Sequence, residues 1–180
     1  MIRLFSCIWV PDNLIEEIEA FLSKLKDTGI KAKFVERENF HVTVNFLGDV
    51  NENKLDEIKI KMDNCLSNLR EFHVKVEGLK LIPNENYVRV IGVKVNSSDL
   101  ENLIGCVVKG LGGSFHKKSK LTLCRVKAVP NKVKLREFIK RNCDMRIGEF
   151  HVNKISLVKS TLTKSGPVYE TIHETELKVK

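Results

Sequence analysis

The sequence predicts an α+β fold with mainly antiparallel sheets, arranged in two roughly equal halves. Three observations predict it. Strand-like and helix-like segments alternate twice along the 180 residues, with hairpin signals between them. One short segment in each half has the form x-hydrophobe-Thr-hydrophobe, His41-Val42-Thr43-Val44 and Lys120-Leu121-Thr122-Leu123. No G-x-G-x-x-G or P-loop pattern occurs, which argues against a doubly wound nucleotide fold and against dinucleotide or ATP dependence. Length alone suggests one domain covering residues 1–180.

The elements follow in order. Ile2 to Val10 is apolar and reads as a buried strand; it is too short to span a membrane, and no small-residue cleavage site follows it. Pro11 suits a first helical turn. Leu14, Ile15, Ile18, Phe21, Leu22 and Leu25 recur at helical spacing and predict a helix from Asp12 to about Lys26, stopped by Thr28-Gly29. Lys31 to Val35 is a short strand, and Phe40 to Leu47 is the strand carrying the first motif. Gly48-Asp49 reads as a turn, and Asn51 to about Leu69 as a second helix.

The second half repeats the rhythm. Phe72 to Ile82 alternates as a strand, Pro83-Asn84-Glu85-Asn86 turns, and Tyr87 to Val95 returns as a hairpin. Asn96 to Asp99 offers helix caps, and a helix runs to about Leu111. Gly112-Gly113 and the basic stretch His116-Lys117-Lys118 form a loop before the second motif strand, Leu121 to Val126. Lys132 to about Arg141 is a short helix, and Phe150 to Leu157 and Val168 to Leu177 are closing strands.

Composition narrows the function. The net charge of +8 favours an anionic partner, nucleic acid first, although a solvated Lys/Glu surface gives the same number. Five cysteines, none in a C-x-x-C pair, read as small core residues or free thiols in a reducing compartment. With no export signal, the expected location is the cytoplasm. The cleft motifs lack the His/Cys/carboxylate cluster of a zinc or magnesium centre, so neither metal nor cofactor is expected.

In a strand, side chains at i and i+2 share a face. His41 and Thr43 therefore point one way, and Lys120 and Thr122 do the same in the second motif. Two such dyads facing one cleft would suit a phosphate. Attack on a phosphodiester needs a group to take a proton, a group to give one, and donors for the charged phosphoryl oxygens. His73, His151 and His173 lie in predicted strands without a partner motif and read as structural or exposed. Tyr169 and Phe46 read as core or cleft-wall residues.

Four stretches together resemble the LigT-like RNA 2′,3′-cyclic phosphodiesterases of the two-histidine phosphoesterase superfamily. They are Phe34 to Thr43 with Phe46-Leu47-Gly48, Pro83 to Ile91, Leu121 to Lys127, and Ser160 to Glu170. The resemblance spans essentially the whole chain. It implies two pseudo-symmetric lobes with antiparallel sheets lining a central cleft and helices outside. It implies hydrolysis of terminal cyclic phosphate to a 2′-phosphomonoester, without a metal, on RNA ends or tRNA fragments. Apart from the resemblance, a monomer is expected. By position, His41 and Thr43 fill the first motif, Thr122 the second, and Arg125 stands where a substrate-contacting arginine is expected.

The chain departs from the family where the second histidine belongs, which is Lys120, preceded by Ser119 in place of a common proline. An ordinary lysine, with a pKa near 10.4, is neutral in only roughly 1 in 2,500 molecules at pH 7. Burial or cationic neighbours would have to lower that pKa before Lys120 could act as a base. As a cation it can bind phosphate and donate a proton weakly. His116 would substitute only if its loop folds inward. Three readings stay open: a phosphodiesterase slowed by Lys120, an RNA-end binding protein that keeps the cleft and has lost turnover, and a domain that recognises a small nucleotide or a protein partner.

Overall fold

The computed structural model describes residues 1–114, 119–164 and 166–179. The expectations for His116 and for Lys117-Lys118 lie outside the described residues. Strand β1 (Ile2–Trp9) leads to helix α1 (Asp12–Lys26), the short β2 (Lys31–Phe34) and β3 (His41–Val50). Then come α2 (Leu55–Leu66), the hairpin β4 (Phe72–Asn84) and β5 (Tyr87–Asn96), and α3 (Ser98–Leu111). The chain closes through β6 (Lys120–Ala128), α4 (Lys132–Arg141), β7 (Arg146–Val152), β8 (Lys154–Leu162) and β9 (Pro167–Glu176).

All these strands join one sheet, in the order β7-β4-β5-β6-β3-β1-β8-β9, with β2 pairing β6 off that path, and every strand pairing is antiparallel. The order is symmetric about the β6/β3 seam. Moving outward, β5 matches β1, β4 matches β8 and β7 matches β9. The seam itself is one residue pair, Val42 opposite Leu121. These two occupy equivalent places in the two sequence motifs. A pseudo-two-fold axis therefore passes between them, and the two halves share one curled sheet.

The helices cover one face of it. α1 buries Leu14, Ile15, Ile18, Phe21, Leu22 and Leu25, the residues its spacing singled out. It lies against β7, and Phe21 meets Phe138 of α4 at 5.4 Å, so a helix from the first half packs on the second. α2 and α3 pack side by side, and they bury Ile58, Met62 and Leu66 from the first and Leu100, Leu103, Ile104 and Val107 from the second. Their cysteines Cys65 and Cys106 lie Sγ to Sγ at 2.7 Å, and all five thiols are free. β1 runs near the centre and buries Leu4 to Ile8 in succession, so both of its faces are covered there.

Several boundaries differ from the sequence reading. Gly48 does not turn the chain. It takes φ 75° inside β3, a conformation open to glycine, and the strand continues to Val50. The second helix starts later, at Leu55, after a 3₁₀ turn over Glu52–Lys54. The single strand expected over 150–157 is two, because the chain crosses at Asn153 from β4's edge to pair with β1. The segment holds no glycine or proline to mark that crossing.

Strands β3 and β6 each carry a bulge in the same place. Cys7 pairs with Thr43 and Ser6 with Asn45, which leaves Val44 as the extra residue. Gly92 pairs with Thr122 and Ile91 with Cys124, which leaves Leu123 extra. A Cβ on Gly92 would stand 2.6 Å from the Leu121 carbonyl oxygen, so the bulged strand approaches this close only because residue 92 has no side chain.

A paired substitution tests that approach. Gly92→Ala should lower unfolding free energy by about 1–3 kcal/mol, since backbone has to move. Gly105→Ala, on the exposed side of α3 with nothing within 4 Å of the added carbon, should raise it by about 0.5–1 kcal/mol. Urea denaturation of both variants checks the signs, and an unaffected Gly92→Ala would refute the close-approach argument.

Candidate active site

The bulges decide what faces the concave side. On a regular strand, residues three apart point to opposite faces. One extra residue resets the phase. Thr43 and Phe46 therefore face the same way, and so do Thr122 and Arg125. The burial sequence of the two motifs is identical over six positions: half-buried, buried, half-buried, buried, buried, exposed. Arg125 joins the dyad face through this device, which strand alternation alone does not provide.

The residues gather around one cavity of about 430 Å³, within the range of small-molecule sites. His41, Thr43, Lys120, Thr122 and Arg125 all line it, and so do Phe46 and Tyr169. Lys33 adds a cation and Glu36 a carboxylate. The structure thus brings together all five candidate residues read from the sequence. Among the described residues, no group of three or more His, Cys, Asp or Glu side chains is placed to hold a metal ion.

His41 opens β3 just after a 3₁₀ turn over Arg37–Asn39. Its Nδ1 lies 2.7 Å from the Asn39 carbonyl oxygen. A carbonyl only accepts, so Nδ1 carries the hydrogen and donates it. The neutral ring then keeps its lone pair on Nε2. Three aromatic rings surround the imidazole, with centroids at 5.1 Å for Phe5, 5.4 Å for Tyr169 and 5.6 Å for Trp9. Trp9 is itself held by its indole N–H, which donates to Thr171 Oγ1 at 3.2 Å. Burial in this box lowers the His41 pKa, while the bond to Asn39 opposes the shift. The result is a histidine poised neutral at pH 7.

Lys120 has a different setting. It pairs in register with Lys94 of β5 and is half-buried. Burial lowers its pKa first, and the positive charges of Lys80 and Arg125 lower it further. Both conditions that would release a lysine from its ordinary cationic state are present, and both push the same way. Burial also raises the Tyr169 hydroxyl, against the pull of Arg125.

Sequence reasoning missed Trp9, the Asn39 carbonyl and Lys33, and left Tyr169 as wall. Nothing in the spacing of Trp9 or Tyr169 points to His41, because they come from β1 and β9 and meet only through pairing. Of the histidines read as structural or exposed, His73 and His151 are exposed and His173 is half-buried. His173 bonds Asp63 at 2.8 Å, and His73 stacks on His151 at 4.8 Å across β4 and β7.

The family model for LigT like Phosphoesterase matches residues 8–92. A Methanocaldococcus jannaschii protein named RNA 2′,3′-cyclic phosphodiesterase is 40% identical over 96% of this chain and 99% of its own length. A Methanothermobacter thermautotrophicus protein of the same name is 32% identical over 93% of this chain and 95% of its own. Among solved structures, the Thermus thermophilus protein TT0787 superposes with a TM-score of 0.78 at 23% identity, covering 99% of both chains.

The aromatic box yields a direct test. Tyr169→Ala should admit water and raise the His41 pKa toward its ordinary value of 6.5. Tyr169→Phe should leave it depressed. Imidazole proton shifts followed by NMR against pH report both, and a His41 pKa unmoved by Tyr169→Ala would sink the burial argument.

Proposed function

The chain belongs to the LigT-like phosphoesterase family, and we infer from the cleft it carries that it is an RNA 2′,3′-cyclic phosphodiesterase. It opens the terminal cyclic phosphate of RNA ends or tRNA fragments to a 2′-phosphomonoester. One observation carries the reading: a histidine poised neutral and a lysine among cations line a single cavity, each followed two residues on by a threonine. Neither kind of group needs a metal to move a proton. Both motifs lie in one chain, so a monomer suffices. Five free thiols suit the cytoplasm, and no helix among the described residues is long and apolar enough to cross a membrane.

The roles follow from charge. Neutral His41 takes a proton from water through Nε2 as the water oxygen bonds to phosphorus. The bond from phosphorus to the 3′ oxygen breaks, and the Lys120 ammonium gives that oxygen its proton. His41 ends as imidazolium and Lys120 as amine, and exchange with solvent resets both. Thr43 and Thr122 hydroxyls and the Arg125 guanidinium suit the phosphoryl oxygens, where negative charge grows. The lowered Lys120 pKa supports its use as an acid, because a weaker hold on the proton makes a better donor.

A binding protein without turnover is the second reading, favoured by the cations around Lys120. Hydrolysis of adenosine 2′,3′-cyclic phosphate separates the two. His41→Ala should lower kcat by about 10²–10⁴-fold, the range for one proton-transfer role. Lys120→His should raise it about 10-fold near neutral pH, since histidine releases a proton there more readily than lysine. Binding should change less than rate. An undiminished His41→Ala, or a Lys120→His variant no faster than wild type, would overturn these roles.

The pH profile should be bell-shaped. Activity falls as pH drops through a value below 6.5, where His41 becomes protonated. It falls again as pH rises through a value below 10.5, where Lys120 loses its proton. In Lys120→His the alkaline limb should move down toward neutrality. Activity that a chelator removes and a divalent ion restores would contradict the metal-free scheme.

A further inference from the structure

A second, larger hollow of about 1260 Å³ adjoins the cleft and shares Ile82, Val90 and Arg125 with it. It lies between the tip of the β4–β5 hairpin, β6 and α4. Three elements each present one face to it. α4 presents Lys132, Arg136 and Lys140, spaced i, i+4 and i+8 and so aligned along one helix face. β6 presents Arg125 and Lys127, and β5 presents Tyr87 and Arg89, both pairs spaced i, i+2.

The lining thus carries six cations, counting Arg89, Arg125, Lys127, Lys132, Arg136 and Lys140, against one carboxylate, Glu85 at the hairpin tip. Lys127, Lys132, Arg136 and Lys140 are exposed, and no carboxylate among the described residues pairs with them. A solvated helix face ordinarily mixes charges. Here α4's only acid, Glu137, reaches away to Arg141. Tyr87 is 58% exposed, and its ring lies 5.1 Å from the Arg89 guanidinium, which also donates to the Tyr87 hydroxyl. A ring locked by a planar cation offers a stiff stacking surface.

We propose that this groove holds the nucleotides of a single-stranded RNA that lie 5′ of its terminal cyclic phosphate. The proposal rests on the phosphodiesterase reading for what sits in the cleft. The chemistry of the substrate then fixes the direction. A cyclic phosphate closes the 3′ end, so the chain can leave the cleft only on its 5′ side. Arg125 lies where the two hollows join and can meet the last phosphodiester. Beyond it, the α4 cations extend about 12 Å from Lys132 to Lys140 at helical rise, enough for a few successive phosphates. Tyr87 and Arg89 form the opposite wall, where a base can stack. An anionic single strand matches this lining of clustered cations beside an aromatic ring; an acidic protein surface would leave the exposed ring and its guanidinium without a use.

The test compares two substrates, adenosine 2′,3′-cyclic phosphate and a five-nucleotide RNA ending in the same group. Wild-type kcat/KM should be higher for the oligonucleotide and should fall more steeply with salt, because each phosphate neutralised adds about 0.7 to the logarithmic slope on a single strand. K132E/R136E should lower kcat/KM for the oligonucleotide by 10-fold or more and change that for the mononucleotide by less than 2-fold. The mononucleotide rate also shows that the variant is folded. Tyr87→Ala should reduce only the oligonucleotide rate. Equal losses on both substrates, or no loss on either, overturn the groove. If wild type hydrolyses neither substrate, the phosphodiesterase reading fails, and the groove is judged by fluorescence anisotropy with the 2′-phosphorylated oligonucleotide. Weaker binding by K132E/R136E then supports the groove, and unchanged binding rejects it.

Discussion

The two halves of this sheet meet at one residue pair, Val42 and Leu121, and the site depends on that contact. A longer ladder would zip β3 to β6 and close the space between the strands. A missing one would leave two separate sheets and no fixed distance between the motifs. A single antiparallel pair holds the strands together and lets them diverge. Val42 and Leu121 are fully buried, so the hydrophobic effect acts on the seam itself. Each is flanked by cavity-lining residues, His41 and Thr43 on one strand and Lys120 and Thr122 on the other. The alternation that buries the seam aims those neighbours at the cleft.

The matched bulges at Val44 and Leu123 extend the same constraint. Without them, regular alternation would bring Asn45 and Cys124 to the cleft as the third residues and turn Phe46 and Arg125 away. With them, Val44 and Asn45, or Leu123 and Cys124, are buried in succession, and the next residue returns to the cleft. Gly92 permits the second bulge by letting the Leu121 carbonyl approach. The cost is local, an extra unpaired residue and a bend. The result is a different third cleft residue on each strand, Phe46 in place of Asn45 on one and Arg125 in place of Cys124 on the other.

Much of this was legible in the sequence, because much of it is periodic. α1 begins and ends where the spacing of its apolar residues placed it, and α4 has the bounds expected for it. The dyads His41/Thr43 and Lys120/Thr122 could be paired from their shared phase. What periodicity cannot carry is register. The bulges leave no compositional mark in Thr43-Val44-Asn45-Phe46, so the face of Arg125 followed only from resemblance. The crossing at Asn153 and the box of Phe5, Trp9 and Tyr169 around His41 arise from strands far apart in sequence. Local pattern has no access to which strand lies beside which.

A symmetric scaffold here carries an asymmetric field. The pseudo-two-fold axis relates His41 to Lys120 and Phe46 to Arg125. On the β1/β9 side the motif residue sits among aromatic rings, and burial holds it neutral. On the β5/β6 side its counterpart sits beside the charges of Lys80 and Arg125. Burial disfavours charge in both places, but it acts on a group whose ordinary pKa is near 6.5 in one and near 10.4 in the other. The same physical effect therefore leaves a neutral acceptor on one strand and a cation with a loosened proton on the other. Acid–base chemistry across a phosphate needs that difference, and two identical histidines in identical surroundings would have to obtain it by sharing protons. In this chain the difference is built into the residues themselves. The basic side continues past Arg125 into the groove along α4, so the asymmetry that sets the proton roles also sets the direction in which a polyanion leaves the cleft.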